Sequence, residues 1–271
     1  MDAFEPFDRQ ARRRRRTRAA ANFGAYAFLK DAMADEIVTR VADTGRNFMR
    51  VLDLGCHDGR LGRRLGAIAY ADASDSFARL AGGVAADEDR LPFADGSFDL
   101  VVSAASLHGV NDLPGALVQV RRVLVPGGLF VAAFVAGESL FELRRALLEA
   151  ELGLRGGVSP RTMPMVDVAE AAGLLQRAGF AMPVADVDTV QVRYADLFKA
   201  VADLRGAAES NILSSRRALR RDVLMAAASR FQDGADPDGR VPVRLQILHL
   251  AGWAPGGEAQ PLNDALKERL Q

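Results

Sequence analysis

The stretch Val51–Gly59, which reads VLDLGCHDG, decides the fold. It begins with a short apolar run that predicts a buried strand, and it continues into a turn that contains Gly55 and Gly59. Glycine lets a backbone approach a ligand closely and adopt a positive φ angle. In an open α/β sheet, ligands bind outside the carboxyl ends of the strands, near the point where the strand order reverses. The turn therefore predicts a site for a nucleoside cofactor.

Short apolar runs alternate with helical patterns from residue 50 to residue 135. Strands are predicted at Arg50–Leu54, Ala67–Ala71, Gly83–Ala86, Phe98–Ser103 and Leu129–Val135, and helices at Arg60–Leu65 and Leu113–Leu124. We expect Pro126-Gly127-Gly128 to end the second of these helices. The alternation predicts a parallel, doubly wound sheet with right-handed crossovers.

The flanking regions have a more helical pattern. Residues 8–40 look helical, and later helices are predicted at Glu138–Leu152, Val166–Ala178, Leu197–Arg205 and Arg216–Phe231. Further strands are predicted at Val184–Val187, Thr189–Tyr194 and Val243–Ala251. We expect a helical arm or cap over 1–46 and an α/β domain over 47–271, with helical lid insertions near 138–157 and 195–232.

Acidic residues follow three successive strands. Asp53 opposes a pyrophosphate but suits a cationic amino group, as in S-adenosylmethionine, which carries an ammonium, a sulfonium and no phosphate. Asp72 ends the next strand, where an acid can accept hydrogen bonds from ribose hydroxyls. Asp87 and Glu88 precede the fourth strand, in a position to accept the adenine amino group. The three positions together favour an S-adenosylmethionine site.

Composition narrows the classes of partner. Lys+Arg and Asp+Glu both number 35, so net charge does not favour nucleic acid. The apolar runs are shorter than the roughly 20 residues of a membrane span, and the first residues read as neither a secretory signal nor a transit peptide. Cys56 is the one cysteine, and the histidines are dispersed, so we expect a reducing cytoplasmic location and no metal site.

Four segments resemble the class I S-adenosylmethionine-dependent methyltransferases. They read VLDLGCHDG, YADAS, AADEDRLPFADGSFDLVVSAASLH and VLVPGGLFVAAF, and they span about residues 50–135. The resemblance implies a seven-stranded, Rossmann-like sheet whose last strand is antiparallel. It also implies that Asp53, Gly55 and Gly59 surround the methionine moiety, that Asp72 binds the ribose and that Asp87 binds the adenine. We place Glu88 and Ser103 with these cofactor-binding residues.

A narrower resemblance runs almost from end to end. The segments FDRQARRRRRTRAA, SLHGVNDLPGAL, LFELRRAL, GGVSP, RAGF, VQVRY and GAAESN look like the mitochondrial complex I assembly factor 5 family and its bacterial relatives. That family is related to the biotin-pathway malonyl-carrier O-methyltransferases. Its mitochondrial members are associated with complex I assembly and with arginine hydroxylation of a complex I subunit, so membership need not imply methyl transfer.

Two features leave alternatives open. His57 stands where the family has a second glycine, and its side chain either crowds the methionine end of the cofactor or points to solvent. The run Arg12–Arg18 cannot place all its arginines on one helix face. It is either a solvated helix or a helix that covers the cofactor crevice or contacts a protein partner.

Candidate catalytic residues are few, because methyl transfer to an acceptor requires mainly alignment. His108 follows the fourth strand and is our first candidate for orienting the acceptor or handling its proton. Tyr194 is the second candidate. Further candidates for the acceptor pocket are Arg144, Glu209, Ser210 and Asn211, whereas Cys56 is expected to be a packing residue.

The leading hypothesis is an S-adenosylmethionine-dependent methyltransferase that acts on a protein or carrier-bound acceptor. The first alternative is a complex I assembly factor on the same fold, with arginine hydroxylation as its reaction and a respiratory-complex subunit as its partner. A second alternative is a non-enzymatic assembly protein with an impaired cofactor site, and the last is a nicotinamide oxidoreductase. The sequence does not define the oligomeric state.

Overall fold

The computed structural model describes residues 5–256, which form a seven-stranded sheet with helices on both faces. The strands are β1 (Val51–Leu54), β2 (Ala69–Asp72), β3 (Val84–Ala85), β4 (Phe98–Ala104), β5 (Leu124–Ala136), β6 (Ala181–Tyr194) and β7 (Val241–Trp253). The α-helices are α1 (Arg9–Ala20), α2 (Phe28–Asp43), α3 (Arg60–Arg64), α4 (Asp75–Ala81), α5 (Leu113–Val123), α6 (Phe141–Arg155), α7 (Ala171–Arg177), α8 (Leu197–Gly206) and α9 (Arg221–Gln232). Two short 3₁₀ helices cover Phe23–Tyr26 and Leu107–Gly109.

The strand order is β3-β2-β1-β4-β5-β7-β6. Strands β1 to β5 pair in parallel, and β7 lies antiparallel between β5 and β6. The chain moves outward from β1 to β3 and then returns to β4, so the order reverses between β1 and β4. The doubly wound, seven-stranded sheet with an antiparallel last strand is therefore confirmed, and the turn after β1 lies at the switch point.

The central strands bury both of their faces, as the apolar run in β1 predicts. Leu52 and Leu54 point to a core that α5 and α7 cover. Val51 points to the opposite core, where α2 contributes Met33 and Ile37. Asp53 alternates onto the same face as Val51, so a carboxylate lies at the end of an otherwise apolar strand.

A third core holds the lid, which we define as helices α6, α8 and α9. Their buried residues pack with Tyr194 and Val241 at the adjoining ends of β6 and β7. The lid occupies both regions for which insertions are predicted, near 138–157 and 195–232. The lid is attached to the β6–β7 pair. The hydrogen-bond ladder between these two strands continues to Tyr194, past the last residues of β7 that pair with β5.

The N-terminal segment is held against two other parts of the molecule. Phe7 forms an isolated antiparallel bridge with Leu213, and its backbone N–H donates to the side chain of Asn111 at 2.8 Å. The carboxylate of Asp8 accepts a bond from the backbone N–H of Ala11 and caps α1. The N-terminal arm is thus docked rather than free.

Several predicted elements differ from the observed ones, among them the helix predicted at Arg216–Phe231, which begins only at Arg221. Val184–Val187 and Thr189–Tyr194 belong to one strand, because Asp188 continues the ladder opposite Ile247. Strand β5 begins at Leu124, before the Pro-Gly-Gly segment, because Leu124 already pairs with Phe98 and the register shifts beyond it.

The helix predicted at Val166–Ala178 is shorter, with α7 covering only Ala171–Arg177. Its expected start is a turn instead, because the backbone oxygen of Val166 accepts a bond from Gly137 and Asp167 accepts one from the backbone N–H of Ala169. These contacts replace the hydrogen bonds of a first helical turn.

A pair of glycine substitutions tests how tightly the sheet and α3 pack. A Cβ atom at Gly62 would lie 2.5 Å from Tyr70 Cε1 and 2.8 Å from Asp53 Cβ, whereas one at Gly153 in the exposed part of α6 would meet nothing within 4 Å. We expect Gly62→Ala to lower the free energy of unfolding by about 1–3 kcal/mol through overpacking. Gly153→Ala should raise it by about 0.5–1 kcal/mol through helix propensity. Urea denaturation measures both, and equal effects would contradict the packing described.

Candidate active site

The turn after β1 is closed by its own neighbours. Gly55 and Gly59 have φ angles of 66° and 76°, which glycine adopts without strain. A Cβ atom at Gly55 would lie 2.2 Å from Cβ of Ser106, and one at Gly59 would lie 2.9 Å from Cβ of Ala81. Both predicted glycine positions are therefore required by the turn itself.

Asp72 lies at the centre of a buried hydrogen-bond network. Its carboxylate accepts bonds from the backbone N–H groups of His57 at 3.0 Å and Ser74 at 2.8 Å. The guanidinium of Arg16 donates two more bonds, at 3.0 and 2.5 Å. Arg16 is 3% exposed and Asp72 is fully buried, so water does not screen this pair.

Glu88 forms the second buried ion pair with α1. Arg12 donates to both of its carboxylate oxygens at 2.6 Å, and the hydroxyl of Ser106 donates a third bond at 2.5 Å. Burial alone would raise the pKa of Glu88, but the charge and hydrogen bonds of Arg12 outweigh it and lower that pKa to about 2. Glu88 is therefore ionised and bonded at neutral pH.

The arginine run has two faces. Arg9, Arg12, Arg13 and Arg16 follow the helical spacing i, i+3, i+4, i+7, and all four meet carboxylates. Arg13 lies 2.6 Å from Asp87, and Arg9 makes two bonds to Asp89, at 2.9 and 2.6 Å. Of the two interpretations of the run, the structure supports a helix that covers the crevice. Arg14, Arg15 and Arg18 belong to the other face.

The buried carboxylate of Asp53 has fewer hydrogen bonds than those of Asp72 and Glu88. One carboxylate oxygen accepts a bond from the backbone N–H of Gly62 at 2.8 Å, and the other has no partner among the residues that the structure describes. Burial raises the pKa of Asp53 to about 6, and the nearby charge of Lys30 opposes the rise. The pKa of Asp53 therefore lies close to neutral pH, whereas the pKa of Glu88 lies far below it.

Lys30 is a buried cation that the sequence reasoning missed. Its ammonium lies 3.1 Å from the backbone oxygen of Cys56 and 2.9 Å from Nδ1 of His57. Burial lowers the pKa of Lys30. A signal was present in the sequence, because Lys30 shares the apolar face of α2 with Met33 and Ile37.

His57 neither points to solvent nor stands alone in the turn. Its ring stacks on Phe23 at a centroid distance of 4.8 Å and meets Phe77 edge-on at 5.1 Å. Its φ angle of 52° is strained for a residue with a side chain, at about 1–2 kcal/mol, and this packing compensates. Burial and the charges of Arg16 and Lys30 lower its pKa well below the ordinary value, so the ring is neutral.

His108 and Glu209 form a dyad beside the crevice. Nε2 of His108 lies 2.7 Å from the Glu209 carboxylate, and Nδ1 is buried without a partner in the described part of the chain. Burial would raise the pKa of Glu209, but His108 and the arginines of α1 lower it, so the carboxylate accepts. The bond therefore places a proton on Nε2, and in the neutral ring Nδ1 is a free acceptor, which suits a general base.

The other candidates lie in different surroundings. Tyr194 belongs to the lid core, where burial and Asp203 raise its pKa. Cys56 is buried, and burial raises the pKa of its thiol, which agrees with a packing role. Ser103 is buried, and its hydroxyl has no partner within residues 5–256. The side chain of Asn211 bonds the backbone at Arg161 and Leu213, which makes it a lid contact.

The crevice has the chemistry of a cofactor site but little free space. Asp53 and Ser103 supply unpartnered buried oxygens, and Asp72 and Glu88 supply carboxylates at the positions expected for ribose and adenine. However, the guanidinium groups of Arg16 and Arg12 occupy those two carboxylates. The donor set fits an adenosyl cofactor in kind, and such a cofactor has to replace these arginines to bond the same atoms.

Comparison with known proteins supports the fold and gives the family. Residues 52–132 match the family model described as a methyltransferase domain. The chain is 38% identical to the protein named arginine-hydroxylase NDUFAF5, mitochondrial, from Danio rerio, over 94% of this chain and 85% of that protein. The chain belongs to the NDUFAF5 family.

More distant matches agree with this assignment. A malonyl-[acyl-carrier protein] O-methyltransferase from Halorhodospira halophila is 29% identical over 98% of this chain and 95% of its own length. A putative methyltransferase from Bacillus halodurans shares the fold with a TM-score of 0.57 and 13% identity, and the match covers 82% of this chain and all of that one. The resemblance to class I methyltransferases, the fold and the methyltransferase-type enzyme class are thereby confirmed.

The described residues contain neither a metal-binding cluster nor a membrane-spanning helix. Within residues 5–256, no three His, Cys, Asp or Glu side chains are grouped so that they would hold a metal ion. In the same part of this NDUFAF5 family member, no helix combines the length and apolar character needed to cross a membrane.

The Glu88–Arg12 pair predicts a specific pH dependence. Because the folded pKa of Glu88 lies near 2, below its ordinary value of 4.5, the pair's stabilisation is fully present above about pH 5 and is lost as pH falls toward 2. We expect Glu88→Gln to lower the free energy of unfolding at pH 7 by about 3 kcal/mol, with the difference from wild type shrinking toward pH 2.

Denaturant titrations from pH 7 to pH 2 measure this difference. The control is Asp95→Asn, which breaks the exposed pair with Arg122 and should lower the free energy of unfolding at pH 7 by less than about 1 kcal/mol. A Glu88→Gln difference that stays constant over this pH range would show that the carboxylate is not held by Arg12.

Proposed function

We propose that this NDUFAF5 family member is an S-adenosylmethionine-dependent methyltransferase that acts on a protein or carrier-bound acceptor. The observation that carries the proposal is the convergence of Asp53, Asp72 and Glu88 at the switch point of the sheet. Carboxylates at the ends of β1 and β2 suit a cofactor with a cationic amino acid end and two ribose hydroxyls. Three buried acids in one crevice exceed what the fold alone needs.

Each residue group has a role in this proposal. Asp53, with the turn at Gly55, would hold the methionine end, Asp72 the ribose, and Asp87 and Glu88 the adenine. The bound cofactor would supply an activated methyl group. His108, oriented by Glu209, would receive or hold the acceptor's proton at Nδ1, which has no partner within the described residues. Alignment in a dry crevice would supply the rest of the acceleration.

Helix α1 becomes part of the binding equilibrium in this scheme. Arg16 and Arg12 hold Asp72 and Glu88 in this structure, so both carboxylates are neutralised while they are buried. The cofactor competes with these arginines. Its apparent affinity is therefore the affinity of the open crevice multiplied by the fraction of molecules in which α1 is displaced.

Calorimetry with S-adenosylhomocysteine tests the cofactor site and this competition. We expect Asp72→Asn to weaken binding about tenfold or more, because a charged acceptor for the ribose hydroxyls is lost. We expect Arg16→Gln to strengthen binding, because the competitor is removed. Arg14→Gln is the matched control on the exposed face of α1, where the Arg14 side chain bonds only the backbone of Gln10 among described residues, and it should leave the affinity unchanged.

Two results would count against the proposal. If neither wild type nor Arg16→Gln binds the adenosyl compound, the crevice is not a cofactor site, and the alternative of a non-enzymatic assembly protein is favoured. If Asp72→Asn binds as well as wild type, the ribose lies elsewhere.

A second candidate function is the modification of an arginine side chain in a protein partner. One observation favours it directly: Asp72 and Glu88 each hold a guanidinium group through two hydrogen bonds. The crevice is thus complementary to arginine, and relatives that are 38–39% identical are named arginine-hydroxylases. A respiratory-complex subunit as partner remains part of this candidate, by family resemblance.

A peptide assay separates the two candidates. The purified chain is incubated in air with S-adenosylmethionine, an added two-electron reductant, a carrier-bound carboxylic acid and matched peptides that contain either arginine or lysine. Molecular oxygen and the reductant supply the oxygen atom and the two electrons that hydroxylation needs. Products are read by mass spectrometry, which distinguishes an added methyl group from an added oxygen atom. We expect modification to require His108, with His108→Gln lowering the rate at least tenfold while cofactor affinity is retained. Methylation of a carrier-bound carboxylate with no change in either peptide would exclude arginine as the acceptor.

We also propose a cytoplasmic location, supported by a chain whose one cysteine, Cys56, is buried and free. Fractionation of cells that express the native gene, followed by immunodetection, tests this placement. Detection in another compartment would exclude it.

A further inference from the structure

The lid contains a large cavity whose apolar wall has no role in the cofactor scheme. Its volume is about 770 Å³, which lies within the range of about 300–1,000 Å³ for small-molecule pockets. The wall is largely aliphatic and comes from all three lid helices, through Leu143, Leu147, Leu197, Val201, Leu204 and Leu224. Glu209, the partner of His108, also lines the cavity, so the cavity reaches the dyad.

A second cavity of about 450 Å³ adjoins the first. Arg15, Ala202, Arg205 and Ser210 line both, so these residues form the junction between them. Arg18 lines the second cavity from α1. The lid cavity is therefore largely apolar, with arginines at this junction and elsewhere on its wall.

The arginines at the junction differ from those on the crevice face of α1. Within residues 5–256, no carboxylate lies within ion-pair distance of Arg15, Arg18 or Arg205, whereas nearby Arg216 pairs with Asp8 at 2.8 Å. Nε of Arg15 is buried without a hydrogen-bond partner in the same part of the chain. Burial, together with the charges of Arg216, Arg18 and Arg205, lowers the pKa of Arg15. An anion at this point would satisfy the orphaned donor and relieve the repulsion.

We propose that the lid cavity binds a single-chain amphiphile whose anionic head lies against Arg15, Arg18 and Arg205 and whose apolar chain fills the cavity. The apolar wall accounts for the chain. The arginines that have no carboxylate partner within residues 5–256 account for a phosphate or carboxylate head. The site is separate from the crevice and does not require that a cofactor binds there.

Isothermal titration without any cofactor tests the site directly. The probes are decyl phosphate, decanoate and decyl alcohol, each below its aggregation concentration, together with inorganic phosphate. We expect both anionic amphiphiles to bind more tightly than decyl alcohol or inorganic phosphate, and their relative affinity identifies the preferred head. The double variant Arg15→Gln/Arg205→Gln should weaken binding of the preferred probe at least tenfold.

Two further variants separate the head from the chain. Val201→Trp, which places an indole in the cavity, should abolish binding of decyl phosphate but not the fold, as judged by circular dichroism. Arg230→Gln removes an exposed arginine of α9 that does not line the cavity, and it should leave the affinity unchanged. If the double variant does not fold, Arg18→Gln provides the same test with a single charge removed.

Three outcomes would overturn the proposal. Equal affinity for inorganic phosphate and decyl phosphate would reduce the site to a surface anion site, and equal affinity for decyl alcohol would remove the role of the arginines. Binding that occurs only to vesicles containing anionic phospholipid, with no binding of monomeric decyl phosphate, would show a membrane surface contact instead. None of these outcomes depends on whether S-adenosylhomocysteine binds, so failure here is distinct from failure of the proposed cofactor site.

Discussion

The structure depends on two buried ion pairs, Arg16 with Asp72 and Arg12 with Glu88. Moving a charge from water into a protein interior costs several kcal/mol, and only close, fully hydrogen-bonded partners offset it. Both carboxylates meet this condition, because Asp72 also accepts from two backbone N–H groups and Glu88 from Ser106. The position of α1 and the state of the crevice follow from these pairs.

The same pairs explain how an acidic crevice exists in a stable chain. The buried acids at the strand ends would repel one another if they were left alone in a medium of low polarity. Arginine is suited to neutralise them because its planar guanidinium binds a carboxylate through two parallel bonds and stays charged when buried. A ligand that enters must therefore bring comparable hydrogen bonds or cationic character. This requirement agrees with the proposed adenosyl sulfonium cofactor and with the arginine side chain of the second candidate function.

The sequence predicted the sheet and the acids but not their partners. Parallel strands end at one edge, so Asp53 and Asp72 had to converge once β1 and β2 were recognised. Arg16 is 56 residues from Asp72 and Arg12 is 76 residues from Glu88, and no local pattern encodes contacts at that separation. The sequence shows that His57 lies in the turn after β1. The direction of its side chain, however, depends on Phe23 and Phe77, which come from separate elements.

Elements were mispredicted where long-range pairing overrides local signals. The acid at Asp188 reads as a break between two strands, but an antiparallel ladder with β7 carries the backbone through it. The helix before Gly179 loses its first turn to hydrogen bonds with the end of β5 and with its own Asp167. In both places a hydrogen bond with the backbone of a neighbouring element contributes, and hydrophobic periodicity does not report such bonds.

The arginine spacing of α1 also has a consequence for the order of folding. An isolated helix of 12 residues is marginal in water, and like charges spaced four apart weaken it further. The partners that remove this repulsion, Asp72, Asp87, Glu88 and Asp89, all lie far downstream in the chain. Helix α1 is therefore stabilised only once β2 and the loop before β4 have reached their native positions.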